Sequence, residues 1–382
     1  VNETLSRTTA LAAVIAKTAD ETERARQVPA ALIDQLAAAG CLRMMVPVRH
    51  GGDGLPLPDA LRVLEELARA DGSTGWLVGQ ITLAQLVFAC FPERAQQEIY
   101  AGGPDVLGAG AVAPKGRASA TGDGWKVTGQ WPYVTGCPQA RWVYLNCVVL
   151  DGRTPRVLPD GTPQTRIVLV PAAELTIQDT WHVLGLRGTA SHDVRAGALD
   201  CPGWRSFSLR GDDPGDRRAI FSIAQAGLLI AAVGLGIAQG ALDEIAQLAA
   251  DGRRRAFSRT PLGASQVFQD RLGDAYVTLR AARALLHQEA ATAWAIVSAG
   301  RPAEPLDRAC LRAASARVTG FATAAVDTAH ALAGGASAYE SSPLQRRLRD
   351  IHTATQHFVN GRDFYATVGA LLAGEQVDPN TF

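Results

Sequence analysis

Two histidines near the C-terminal end, His352 and His357, stand in a stretch with no acidic residue between Asp350 and Asp363. An imidazole titrates near neutral pH, so either ring can take a proton from a phenol or amine, or hold a hydrogen bond at a reacting oxygen. Five residues along a helix rotate a side chain by about 140°. The two are therefore expected on different faces, one catalytic and the other structural. His50, His182, His192, His287 and His330 show no metal-ligand spacing and are expected to be surface or satisfied core residues. No metal site is expected.

Other residues combine hydroxyls, glycines and indoles. They are Asp71-Gly-Ser73-Thr-Gly75-Trp76, Gly129-Gln-Trp131 followed by Thr135-Gly136 and Trp142, and Trp181 through Thr189, Ser191, His192 and Asp193. The plain reading of such segments is a β-turn with a core Trp on either side, and it is adopted for Trp125 and Trp142. Arg254 offers a rigid fork to phosphate oxygens, and Gly334-Gly335 allows close backbone approach to a ligand. Taken singly, Arg254 is one of three solvated arginines and the glycine pair a helix stop.

Three blocks must position these residues. Up to about residue 101 the apolar residues recur at helical steps, as in Val28 to Ala37, with a Gly51-Gly-Asp-Gly54 break and a new helix opening at Pro58-Asp59. From 102 to 210, β-branched and aromatic runs such as Trp125–Trp131 and Trp142–Leu150 alternate with turn residues, which predicts a small, mostly antiparallel β domain. Gly211–Asp216 reads as a linker, and helical periodicity returns over 217–382 in long Ala-rich segments. Those segments are more apolar than surface helices need, so a bundle partly buried against other subunits is expected.

The 382 residues suit two or three packed units sharing a centre. A formal net charge of zero, with no basic run longer than Arg253-Arg254-Arg255, points away from nucleic acid and membrane surfaces and towards a small-molecule substrate. Six scattered cysteines without a C-x-x-C read as reduced core residues. No secretory or transmembrane signal is visible, so a cytoplasmic location is expected.

The order of blocks and several motifs resemble the acyl-CoA dehydrogenase superfamily, and within it the two-component flavin-dependent monooxygenases. That branch includes aromatic hydroxylases, dibenzothiophene monooxygenase and sugar nitrososynthases. Arg254-x-x-Phe257 with Pro261-Leu262, Gln266 and Gln269 is similar to the flavin-contacting Arg-x-x-Phe segment, and Gly334-Gly335 to the turn that reaches the flavin of a neighbouring subunit. Thr135-Gly136 resembles the branch's Ser-Gly, with the hydroxyl kept. The resemblance implies an α+β fold: an N-terminal helical domain, a central small β domain and a C-terminal four-helix bundle, assembled as a homo-oligomer, a tetramer.

The resemblance also implies site residues. Thr135, Gly136, Thr189 and Ser191 would meet the flavin edge, Trp131 or Trp181 would cover its ring, and Arg254, Phe257, Gly334 and Gly335 would bind it. Trp76, Gln85 and Phe358 would line the substrate pocket; Ala84 and Gln85 occupy the region where a histidine often follows the Ser-x-Gly-Trp element. His357 fits the branch's terminal histidine and is the first catalytic candidate, ahead of His352, with Thr135 assisting.

A dehydrogenase needs a carboxylate to remove the acidified proton of a thioester. Phe358 stands near one family position for it, and the helix around Ala226 lacks an acid at the other. The expected activity is therefore an oxygenase component using reduced FMN or FAD and O2 through a C4a-hydroperoxyflavin to hydroxylate or N-oxidise a small molecule. Without a dinucleotide fingerprint, its electrons come from a separate flavin reductase. A divergent acyl-CoA dehydrogenase and a non-catalytic flavin-binding protein are the alternatives.

Overall fold

The proline and acid at Pro58-Asp59 lie in the first turn of a helix that buries one stripe, Leu57, Ala60, Leu61, Val63, Leu64, Leu67 and Ala68. The computed structural model describes residues 3–209, 225–254 and 258–377. Five α-helices precede the sheet: α1 (Glu3–Ala25), α2 (Ala30–Ala38), α3 (Leu57–Ala70), α4 (Gly72–Phe88) and α5 (Glu93–Ile99). Between α3 and α4 the chain turns on Asp71, whose extended backbone ends one helix and whose carboxylate caps the next, accepting from Thr74 N at 2.8 Å. Helix α4 is buried on every side except Gln80, as a central helix must be.

The middle block is one sheet of eight strands: β1 (Gly108–Thr121), β2 (Gly124–Trp131), β3 (Trp142–Asp151), β4 (Thr154–Pro155), β5 (Thr165–Pro171), β6 (Thr176–Gln178), β7 (Asp193–Pro202) and β8 (Ser206–Phe207). Its order is β6-β7-β2-β1-β3-β5-β8, with β4 on β3; only β1 and β3 run parallel. Alternation along β3 divides the two faces. Trp142 and Tyr144 join the core shared with the helices, while Val143, Leu145 and Cys147 belong to a second core.

The C-terminal block packs α6 (Ala226–Ala250), α7 (Gln266–Ser298), α8 (Pro305–Ala333) and α9 (Pro343–Ala354) as a bundle, with α10 (Asp363–Leu372) lying on α8. Helix α6 is long and apolar enough to cross a membrane by length and composition, but it packs on α3, α4, α7, α8 and α9. Its composition is that of a core helix. The first and last blocks thus share one hydrophobic core, and the sheet meets α4 at the Phe88–Tyr144 ring contact. The expected linker Gly211–Asp216 lies outside the described residues.

Candidate active site

Three hydroxyls meet where the β2–β3 connection approaches the segment before β7. Thr189 Oγ1 donates to Leu186 O at 2.9 Å, a carbonyl that can only accept. Its contact with Ser191 Oγ at 2.7 Å is therefore donated by Ser191, and the Thr135–Ser191 contact at 2.7 Å by Thr135. Trp76 Nε1 closes the chain by donating to Thr135 Oγ1 at 3.3 Å. Every hydroxyl proton is committed inward, so what the buried cluster has left to offer is lone pairs. It suits a ligand edge that carries N–H groups.

The loop bearing Thr189 and Ser191 is strained. Leu186 and Ala190 have φ values of 52° and 45°, in a region that costs a non-glycine residue roughly 1–3 kcal/mol. Contacts from all three blocks hold it. Asp350 in α9 accepts from Leu186 N at 2.6 Å, Ser73 Oγ in α4 accepts from Gly188 N at 3.2 Å, and Gly136 N donates to Thr189 O at 3.0 Å. Asp350 is buried, and burial followed by the nearby Asp71 pushes its pKa up to about 7. Asp350 and Ser73 are not expected site residues from the sequence, although Ser73 lies in the Asp71–Trp76 segment and Asp350 is the last acid before His352 and His357.

The two histidines separate for a reason other than helix rotation. Helix α9 ends at Ala354, so His352 lies in its last turn whereas His357 lies beyond it, capping the short 3-10 turn Phe358–Asn360. The side chain of His352 is 43% exposed and bonds Asp327 at 2.8 Å. His357 is half-buried, edge-on to Trp76 with ring centroids 5.8 Å apart, and stacked on Phe358. Burial, and then the charge of Arg312, lowers its pKa to about 4, so the ring is neutral at working pH. Its Nδ1 accepts from Val359 N at 3.4 Å, which assigns the proton to Nε2.

Several predicted contacts belong to the scaffold instead. Trp131 is fully buried in the sheet's own core and donates from Nε1 to Asn146 O at 2.7 Å. A Cβ on Gly116 would overlap its ring and one on Gly129, the glycine of the Gly-x-Trp motif, would come within 2.9 Å of it, so the spacing serves packing and leaves no free indole face for a flavin. Gln85 is equally occupied, donating to Leu42 O at 2.8 Å and accepting from Met45 N at 2.9 Å, so its amide pins a loop. Trp181 stays half-exposed, with Nε1 bonded to Leu186 O and its edge towards the exposed Tyr133. Arg254, Gly334 and Gly335 are exposed, apart from the hydroxyl chain, while Phe257 lies outside the described residues. Phe358 is 64% exposed, on the far side of His357's stacking contact.

Family models settle what scaffold this is. The acyl-CoA dehydrogenase N-terminal domain matches residues 6–102, and the acyl-CoA dehydrogenase C-terminal domain matches residues 228–361. The chain belongs to the acyl-CoA dehydrogenase family. Within that family it is similar to indole-3-acetate monooxygenase of Pseudomonas putida, 31% identical over 94% of this chain and 90% of the relative. The oxygenase component of the FADH2-dependent resorcinol hydroxylase from Rhizobium sp. (strain MTP-10005) is 29% identical over 97% and 94%. The structure of XiaF from Streptomyces sp. in complex with FADH2 and glycerol superimposes with a TM-score of 0.89 at 27% identity, covering 99% of this chain and 96% of that one. This acyl-CoA dehydrogenase family member is thus an oxidoreductase of the flavin-dependent monooxygenase kind, an oxygenase component.

The residues present fit a reduced flavin. A reduced isoalloxazine edge carries N–H groups, and the lone pairs of Thr135 and Ser191 are the complementary partners.

Proposed function

We propose that this family member takes reduced flavin from a separate reductase and uses it with O2 to hydroxylate or N-oxidise a small aromatic molecule held beside Trp76 and His357. The observation that carries this reading is a neutral imidazole, not a carboxylate, at the end of the Trp76–Thr135–Ser191 chain. Phe358 stands near one position where a dehydrogenase would carry its base, and the start of the helix containing Ala226, near the other, holds no Asp or Glu.

When bound, the reduced flavin supplies the two electrons and the place where oxygen is activated. Thr135, Ser191 and Thr189 orient its edge through a hydroxyl chain whose direction is fixed at Leu186 O. Trp76 screens that chain from water while donating to it. His357 holds a proton at Nε2 for a hydrogen bond to the reacting oxygen or to the substrate's own hydroxyl. The FADH2 dependence of the resorcinol hydroxylase and the FADH2 complex of XiaF support FAD over FMN. Exposed Arg254, Gly334 and Gly335, lying apart from the hydroxyl chain, support an oligomer, a tetramer, in which they serve a neighbouring subunit's flavin. The free cysteines, five of them buried, support work in the reducing cytoplasm.

The test is rapid mixing of the protein and anaerobically reduced FAD with O2, followed by absorbance. A transient distinct from both reduced and oxidised flavin, lost in His357→Ala, is the expected result. Direct return to oxidised flavin, or anaerobic bleaching of bound flavin by an acyl-CoA, would overturn the reading.

A further inference from the structure

Helix α8 carries a positive charge that meets no carboxylate among the described residues. Arg312 is half-buried, has no ion pair among the described residues, and its Nε is buried without a hydrogen-bond partner. Its guanidinium rests over the Phe364 ring, 5.2 Å from the centroid. A desolvated guanidinium is costly unless an anion meets it, and most buried or half-buried arginines here have one: Arg283 pairs with Glu65, Arg347 with Glu244 and Arg349 with Glu23. Arg308, one turn earlier, adds to the positive field and lowers the pKa of Arg312 beyond what burial does.

The position ties this charge to the site. Ser315, one turn beyond Arg312 on the same face of α8, meets α6 at Gly227, where a Cβ would lie 2.8 Å from Ser315 Oγ and 3.8 Å from Val359 Cβ. Val359 follows His357 by two residues, and its turn packs on α6 and α8. Arg312 and His357 therefore flank one junction, and the Arg312 charge reaches the imidazole. At the same junction Gln225 Nε2, at the start of α6, and Asn360 Oδ1 are also buried without hydrogen-bond partners among the described residues.

We propose that Arg312 is the specificity-determining residue of the oxygenase and that its substrate class is the aromatic acid, whose carboxylate pairs with Arg312 while its ring lies beside Trp76 and His357. The proposal rests on the monooxygenase reading and narrows it. A guanidinium fork matches a carboxylate in two parallel hydrogen bonds, and the short tether of an arylacetate separates ring from charge.

The experiment compares indole-3-acetate with neutral 3-methylindole by calorimetric binding to the full-length protein, wild type and Arg312→Gln. The wild type is expected to bind indole-3-acetate about ten-fold or more tighter, and the variant to lose that preference while holding 3-methylindole within about two-fold. Arg312→Lys is expected to keep part of it. An independent readout is the His357 ring titration by NMR, which should move up in Arg312→Gln once the neighbouring charge is gone. Equal affinities in the wild type, or equal loss of both ligands in a folded Arg312→Gln, would overturn the proposal. Carboxylate preference without an oxygen transient would sink the oxygenase reading and leave the anion site standing; a transient without carboxylate preference would do the reverse.

Discussion

The carboxylate of Asp350 and the backbone nitrogen of Leu186, 164 residues apart in the chain, are joined by a 2.6 Å hydrogen bond inside the protein. It pins a residue with φ of 52° at the start of the loop that presents Thr189 and Ser191. The last helix of the bundle thereby sets the geometry of the hydroxyl chain. Gly72 belongs to the same contact, since a Cβ there would come within 2.8 Å of Asp350 Oδ2.

Burial of the Asp350 carboxyl makes stability depend on pH. Burial, then Asp71, raises the Asp350 pKa to about 7, while Leu186 N–H and Arg349 oppose the shift and Glu23 adds to it. Asp71 is raised as well, by its own burial, against its bonds to Thr74 and the charges of Arg346 and Arg347. The native state thus keeps a proton that the unfolded chain loses near pH 4, so this contribution is full below pH 4 and declines as pH rises to about 7. Asp350→Asn keeps an acceptor for Leu186 N–H and abolishes the ionisation. Denaturant melts of both proteins at pH 5 and pH 8 should diverge by a few kcal/mol in favour of the variant at pH 8. Parallel pH dependence would exclude Asp350 as the titrating group.

The hydroxyl chain predicts a graded series at Thr135. Thr135→Val keeps the shape but leaves Trp76 Nε1 without an acceptor and Ser191 without its donor. It is expected to weaken reduced-FAD binding roughly 5–20-fold, with a stability loss of about 1–2 kcal/mol. Thr135→Ser should restore binding to near wild type. Anaerobic titration followed by flavin fluorescence measures both, and a Val variant that binds like Ser would show the chain plays no part in cofactor binding.

Much of this arrangement is legible in the residue pattern, because hydroxyl and glycine clusters, block order and helical periodicity are local properties. Thr135, Gly136, Thr189, Ser191 and Trp76 meet in space as their motifs suggest. What escapes the sequence is set by long-range packing. Whether Trp131 faces a ligand or a core depends on Gly116 across the strand pair, and whether Gln85 lines a pocket depends on the loop at Leu42–Met45. His352 and His357 cannot be ranked by helix rotation because the helix stops between them, at Ala354. Arg312 carries a visible signal, a second arginine four residues after Arg308 on an Ala-rich helix, but that its Nε is buried without a hydrogen-bond partner among the described residues is set by packing.

Trp131 offers a direct check on that division. Trp131→Phe removes the bond to Asn146 O and part of a ring that fills the sheet core. Thermal stability should fall by about 1–3 kcal/mol. Reduced-FAD affinity of the folded variant should stay within about two-fold of wild type, since the indole presents no face outside the core. A selective loss of flavin binding at unchanged stability would return Trp131 to the cofactor site.

His357 sets the acid side of the activity profile. Its pKa is depressed to about 4 against an ordinary value near 6.5, so the neutral ring and the stability it contributes are fully present above 6.5 and are lost as pH falls from there through 4. A neutral Nε2–H donor therefore persists across the working range, and kcat/KM is expected to show no ionisation between pH 5.5 and 7 that belongs to this ring. His357→Ala should reduce kcat by about 10²–10³-fold, the usual loss when one preorganised donor is removed from a reacting oxygen, with His357→Asn recovering part of it. Suppose instead that the wild-type profile falls with an apparent pKa near 6.5 and the limb disappears in His357→Asn. The ring would then act as a base that must shed a proton first, and the Nδ1 contact with Val359 would have to open during turnover.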